Sequence, residues 1–198
     1  MSPTDPVHPI DTTALKAHQL PLALAGLCLH PGLSLICGDD ERMARSFFAF
    51  LYTSFELGNG DDFTAGRSVY WHESIPRESD DTSGRAWLDT QAQRYPLWSA
   101  DLAADLVEAL NLEVHIDKPL YMYSLGSARK LNLVAALACG VSITCLEAPF
   151  AALDGPSRAV VAEFLTEASE HPERSWLVFD FEKPAALDAA CFAQVVTV

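Results

Sequence analysis

Positively charged residues are scarce in this sequence of 198 residues. It holds 13 Lys and Arg residues against 27 Asp and Glu residues, which gives a formal net charge of −14 at neutral pH. Nucleic acids and anionic membrane surfaces are bound by clustered basic side chains. The composition therefore argues against both and favours a small ligand or a protein partner.

Paired cysteines and long apolar runs are missing as well. The five cysteines are scattered through apolar stretches without CxxC spacing, so we interpret them as buried free thiols of a reducing compartment. No run of about 18 apolar residues could span a bilayer, and no signal-peptide pattern opens the sequence. We expect a cytoplasmic protein with no direct membrane insertion, which reaches the inner face of a membrane only through a partner.

What the sequence does contain is a large share of hydrophobic residues, 49%, beside 20% charged ones. This composition excludes a disordered protein. The length suits one α/β domain over residues 1–198, with a small inserted lobe. Leucines at helical spacing between residues 97 and 110 predict that this lobe is helical and occupies about residues 85–120.

The most informative stretch is residues 120–158. Ser124 and Gly126 open an apolar helix whose first backbone N–H groups lack intrahelical partners and therefore suit an anion. The apolar run 141–146 then predicts a short buried strand that ends at Glu147. A carboxylate at the carboxyl end of a strand, next to a helix start, is where α/β proteins place chemistry.

This stretch resembles the segment from signature to Walker B of an ATP-binding-cassette (ABC) nucleotide-binding domain. YSLGS at 123–127 stands where that family has LSGGQ, and ITCLEAP at 143–149 stands where it has an apolar strand ending in Asp-Glu-Pro. FAALD at 150–154 matches the family's D-loop. The resemblance implies an α/β fold, with a P-loop NTPase-like core, a mixed sheet flanked by helices and a small helical subdomain.

The phosphate-binding loop that the resemblance implies is degraded. It would start at Gly38, but positions 43–45 hold Met, Ala and Arg where G-x-x-x-x-G-K-[ST] needs Gly, Lys and Ser. Arg45 and Ser46 fill the Lys-Ser positions only if one residue is looped out. Three acids at 39–41 would also repel a triphosphate. The alternative interpretation is a plain helix start whose acids favour the helix dipole.

Other groups that hydrolysis needs in this family are replaced too. Ala148 stands where the family has its catalytic glutamate, and alanine can neither accept a proton nor orient water. Glu147 replaces the magnesium-binding aspartate. Asp180 is the nearest equivalent of the switch histidine and would repel phosphate. His72 or Glu73 stands near the Q-loop glutamine, either as a metal ligand or in a purely structural role.

The resemblance assigns nucleotide contacts to six residues, Gly38, Arg45, Ser46, Ser124, Gly126 and Glu147. It assigns no catalytic residue and no separate metal site, and binding of ATP and Mg²⁺ is expected to be weak or absent. Three functions stay open. In the first, the chain is a non-hydrolytic structural or regulatory cassette, paired with a second copy, another cassette or a membrane permease subunit. Alternatively it is an atypical but active ABC ATPase that uses Arg45, Ser46 and Glu147, or an interaction protein that keeps the fold and binds no nucleotide.

Overall fold

One five-stranded sheet organises the part of the chain that is described. The computed structural model describes residues 24, 27, 29–38, 45–47, 49–51, 69–71 and 81–198. The strands are β1 (Gly32–Cys37), β2 (Val69–Trp71), β3 (Ile143–Glu147), β4 (Ser175–Asp180) and β5 (Phe192–Thr197). They lie in the order β2-β3-β4-β1-β5.

Every pairing between these strands is parallel. The three inner strands β3, β4 and β1 are buried along almost their whole length, as expected for a parallel sheet that is covered on both faces. The α/β core with flanking helices is thus confirmed. The prediction of a mixed sheet does not apply to the described strands, which are all parallel.

Within residues 81–198 four α-helices accompany the sheet: α1 (Gly84–Arg94), α2 (Ala100–Ala109), α3 (Leu125–Ala138) and α4 (Gly155–Ala168). Each begins at a side chain that accepts a hydrogen bond from the backbone N–H three residues later, and these caps are Ser83, Ser99, Ser124 and Asp154. Residues 45–47 and 49–51 are also helical. The region predicted as a helical lobe contains α1 and α2.

Helix α3 is the central helix of the larger core. Residues 131–138 are all buried, because α3 packs on β3 on one side and on α1 and α2 on the other. A helix that is apolar all round is expected in such a position. A second hydrophobic cluster includes Phe47, Leu51, Leu177 and Phe179 and joins the helical residues 45–47 and 49–51 to the sheet.

Strand β1 corrects one local prediction. The apolar runs 20–29 and 33–37, separated by a His-Pro-Gly turn signal, predict a β-hairpin. In the structure β1 pairs with β4 on one side and with β5 on the other, so neither edge is available to a preceding strand. Leu24 lies in a 3₁₀ turn, and Leu29 is in neither helix nor strand.

Candidate functional site

Three neighbouring strands, β3, β4 and β1, end at the same edge of the sheet. Gly38 follows β1 and donates its N–H to the carbonyl oxygen of Asp180 at 3.1 Å. Ala148 follows β3 and donates its N–H to the carbonyl oxygen of Phe179 at 2.7 Å. Gly38 and Glu147 therefore lie at this edge on either side of β4. The carboxyl edge of an open parallel sheet is where α/β proteins bind ligands.

Arg129 of α3 holds the turn that follows β3. Its Nη2 atom donates to the carbonyl oxygen of Glu147 at 2.5 Å and also to the carbonyl oxygen of Ala148. Burial lowers the pKa of the guanidinium, while the carboxylates of Glu147 and Asp180 act in the opposite direction. An arginine remains charged in spite of such a shift. Helix α3 thus supplies this edge with a cation that no sequence motif indicated.

Ala148 has an unusual backbone conformation. Its φ is +41°, in the left-handed region that costs an L-residue about 1–2 kcal/mol. The conformation is stabilised by hydrogen bonds at both backbone groups, because the carbonyl oxygen also accepts from the N–H of Ala151 at 2.9 Å. The side chain at this position is a methyl group. The turn is therefore held by its main chain and presents no polar side-chain atom at position 148.

Asp180 places a second carboxylate at this edge. Burial raises the pKa of Asp180, a shift that Glu182 reinforces and Arg129 opposes. The N–H of Phe181 donates to its Oδ1 atom at 2.8 Å. Asp180 and the turn at Ala148 thus bring one carboxylate and one methyl group to this edge.

A cavity of about 260 Å³ opens beside Asp180. Ala148 and Phe150 line it from the turn after β3, and Arg158 and Lys183 line it from other elements. Its volume is below the range of about 300–1,000 Å³ that encloses a drug-sized ligand. Side chains of both charge signs line this cavity, Asp180 and Glu182 beside Arg158 and Lys183.

Ser124 and Gly126 form a second group, at the start of α3. The Ser124 hydroxyl accepts from the N–H of Ser127 at 3.0 Å and lies 2.9 Å from the Ser127 hydroxyl. A Cβ atom on Gly126 would lie 2.8 Å from the carbonyl oxygen of Ala152, so only glycine fits this contact. Gly126 therefore packs against the segment 150–154 that matches the family's D-loop.

Asp154 ends that segment and is engaged within its own chain. Its Oδ1 atom accepts from the N–H of Ser157 at 2.9 Å, and its Oδ2 atom accepts from Nζ of Lys130 at 2.7 Å. The Lys130 hydrogen bond is the main reason why the pKa of Asp154 falls well below its usual range. Nζ of Lys130 also donates to the carbonyl oxygen of Leu110 at 3.0 Å.

Arg45 and Ser46 have exposed side chains in the helical residues 45–47. The loop 39–44, which the resemblance places against phosphate, lies outside the described residues, as do His72 and Glu73. Within the described ranges, no group of three or more His, Cys, Asp or Glu could hold a metal ion. No helix in these ranges is long and apolar enough to cross a membrane.

Comparison with known proteins supports the same family at the level of the fold. No family model matches the chain. A segment of 58 residues is 40% identical to the human protein "ATP-binding cassette sub-family A member 13" and covers 29% of this chain and 1% of that protein. A segment of 92 residues is 32% identical to the "ABC transporter ced-7" of Caenorhabditis elegans and covers 46% of this chain and 5% of the relative. The chain matches only a small part of either relative.

A solved structure extends the likeness to most of the chain. An ABC transporter ATP-binding protein from Pyrococcus furiosus superposes with a TM-score of 0.56 over 80% of this chain and 82% of that chain, at 18% identity. Identity this low shows the fold alone. The parallel sheet, the helix α3 before β3 and this superposition agree: the chain has the fold of an ABC transporter nucleotide-binding domain.

Proposed function

We propose that this chain is a non-hydrolytic ABC cassette, which acts as a structural or regulatory partner of another cassette or of a membrane subunit. The observation that carries the proposal is the turn after β3. Ala148 has a methyl side chain, and Arg129 and Ala151 hold its main chain. The family resemblance implies that a catalytic base stands at this position in an active cassette. Loss of a general base typically costs about 10²- to 10⁴-fold in rate.

The end of β4 supports the same conclusion. Asp180 lines the cavity at this edge with a carboxylate, and the resemblance implies that a histidine meets phosphate at this position in an active cassette. Glu147 could act as the base only if it gave up the role of metal ligand, and the described residues supply no second carboxylate at the end of β3. ATP hydrolysis therefore lacks two of the groups that it needs, a base at position 148 and a cationic or neutral group at position 180.

The partner role is argued from two family motifs that this chain keeps, the start of α3 and the segment 150–154. The start of α3 and the 150–154 segment are well formed, in contact at Gly126 and Ala152, and exposed at Ser124. By their names, the human and nematode relatives are an ATP-binding cassette protein and an ABC transporter. We extend this context to the chain as a proposal, with a cytoplasmic location at the inner face of a membrane and a second copy, another cassette or a permease subunit as partner.

Nucleotide chemistry is tested on the purified chain. We expect titration calorimetry with Mg²⁺ and ATP to show weak binding or none, and phosphate release to equal the no-protein rate. If ATP is hydrolysed and Glu147→Ala or Arg45→Ala abolishes turnover, the chain is an atypical ATPase and the proposal is wrong. Glu163→Ala, an exposed change on α4, serves as the matched control.

The partner role is tested by recovery of a tagged chain from its native cell in mild detergent. We expect mass spectrometry to find a second cassette or a permease subunit in stoichiometric amount. Recovery of the chain alone, together with the absence of ATP binding, would favour the fold-only interaction protein instead.

A further inference from the structure

Two carboxylates lie at the carboxyl edge of the sheet, where the family resemblance implies a bound magnesium ion. Glu147 ends β3 and Asp180 ends the neighbouring strand β4. The register pairs Glu147 with Phe179, which places Asp180 one residue further along at the same edge. Carboxylates are the ligands that Mg²⁺ and Mn²⁺ prefer in proteins. Whether a metal fits here depends on the other groups at this edge.

A cation of the chain itself is already held at this edge. Nη2 of Arg129 donates to the carbonyl oxygen of Glu147 at 2.5 Å and to the carbonyl oxygen of Ala148. These two oxygens belong to the main chain at the point where β3 ends. The N–H of Ala148 in turn donates to the carbonyl oxygen of Phe179, the residue before Asp180. The guanidinium is therefore anchored to the main chain where the two strands end side by side.

The charge of Arg129 interacts with both carboxylates. Burial lowers the pKa of Arg129, whereas Glu147 and Asp180 act to raise it. An arginine in a protein keeps its proton in spite of such a shift. A divalent cation at this edge would therefore meet a fixed positive charge that deprotonation cannot remove. The residues present at this edge do not fit a divalent cation.

We infer that Arg129 takes the place of a divalent cation at this edge and excludes the metal from it. Because a side chain cannot dissociate, the turn after β3 keeps its cation at every metal concentration. The inference deepens the proposed non-hydrolytic function and rests on it. Its test measures the binding of a metal without nucleotide, so metal binding without ATP hydrolysis would contradict the inference alone.

The test uses the full chain with Mn²⁺ as the only added metal. Mn²⁺ takes oxygen ligands as Mg²⁺ does, and its unpaired electrons broaden the NMR signals of nearby amide groups. The N–H groups of Ala148 and Phe181 report on this edge, since one follows β3 and the other donates to Asp180. Those of Glu163 and Glu167, exposed on α4, report the weak binding of any acidic surface. In the wild-type chain we expect no stronger broadening at the first pair than at the second.

Removal of the guanidinium should admit the metal. In Arg129→Gln the carboxylates lose their cation, and we expect Mn²⁺ binding at Ala148 to strengthen by about tenfold. Adding Glu147→Gln and Asp180→Asn should abolish this gain. Arg129→Lys keeps a positive charge on α3 and should gain less than Arg129→Gln. Arg158→Gln is the matched control, because it removes the same charge from an exposed position in the neighbouring cavity and should change binding by less than about twofold.

Two outcomes would overturn the inference. Preferential broadening at Ala148 in the wild-type chain, removed by Glu147→Gln, would show that the edge holds a metal with Arg129 in place. This measurement needs no change at Arg129 and decides the question even if Arg129→Gln does not fold. A folded Arg129→Gln, as judged by circular dichroism, that binds Mn²⁺ no more tightly than Arg158→Gln would show that the guanidinium is not what excludes the metal.

Discussion

Replacing Arg129 should reveal how strongly the turn after β3 depends on one side chain. In Arg129→Met, the carbonyl oxygens of Glu147 and Ala148 lose a charged donor within a partly buried region. Hydrogen bonds to charged groups contribute about 1.5–3 kcal/mol each, and the carbonyl oxygen of Ala148 keeps its hydrogen bond from Ala151. We expect the free energy of unfolding to fall by about 3 kcal/mol.

A loss of this size corresponds to about 6–12 °C in melting temperature for a chain of this length. Scanning fluorimetry on the four tryptophans measures it, with urea unfolding to check that the m-value is unchanged. Arg129→Lys should fall between wild type and Arg129→Met, because an ammonium cannot reproduce the planar fork of guanidinium donors. Arg158→Met, at an exposed position on α4, is the matched control and should shift the melting temperature by less than about 2 °C.

Hydrogen exchange separates a local effect from a global one. Ala151 donates its N–H to the same carbonyl oxygen of Ala148 that Arg129 holds. Exchange at Ala151 should therefore accelerate in Arg129→Met more than exchange in the buried strand β4. If Arg129→Met melts within about 2 °C of wild type, or if exchange at Ala151 does not change, the guanidinium does not hold the turn and the reasoning is refuted.

Three smaller predictions test other contacts at this end of the molecule. Burial raises the pKa of Asp180, so its carboxylate destabilises the folded chain at neutral pH, and this penalty disappears as the pH falls through the raised pKa. Asp180→Asn should therefore raise the melting temperature by about 1–2 °C at neutral pH and by less near pH 3.8, the ordinary aspartate pKa. An equal rise in melting temperature at the two pH values would contradict the burial argument. Gly126→Ala should lower the free energy of unfolding by about 1–3 kcal/mol, because the added Cβ would contact the carbonyl oxygen of Ala152. Gly155→Ala is the control and should not lower it, since no atom lies within 4 Å of the added Cβ. Urea unfolding of both variants measures the difference. Asp154→Ala should cost about 1 kcal/mol through loss of the helix cap, while Asp154→Asn keeps the cap and should be nearly neutral in the same assay; an equal loss in both would assign the effect to the ion pair instead.

The features that sequence patterns predicted well are local ones. Ser124 begins a helix as its cap, and Glu147 ends its strand. Each depends on the conformational preferences of a few consecutive residues. Such preferences are readable from the residues themselves.

The features that the sequence did not indicate depend on contacts between distant segments. Arg129 and Lys130 are neighbours in an ordinary helical sequence pattern. That pattern does not indicate that Arg129 contacts Glu147 or that Lys130 contacts Asp154. The hairpin prediction failed for the same reason. An apolar run shows that β1 is a buried strand, but its neighbours β4 and β5 lie about 140 and about 160 residues further along the chain.

Lys130 connects the end of α2 to the start of α4 through two hydrogen bonds. The ammonium holds the end of α2 through Leu110 at 3.0 Å and the first turn of α4 through Asp154 at 2.7 Å. A hydrogen bond is lost when donor and acceptor are more than about 3.5 Å apart. Either acceptor can therefore move away from Nζ of Lys130 by less than about 1 Å before its hydrogen bond breaks. A tilt of α2 must therefore either pull on the start of α4 or detach the ammonium from one of its acceptors.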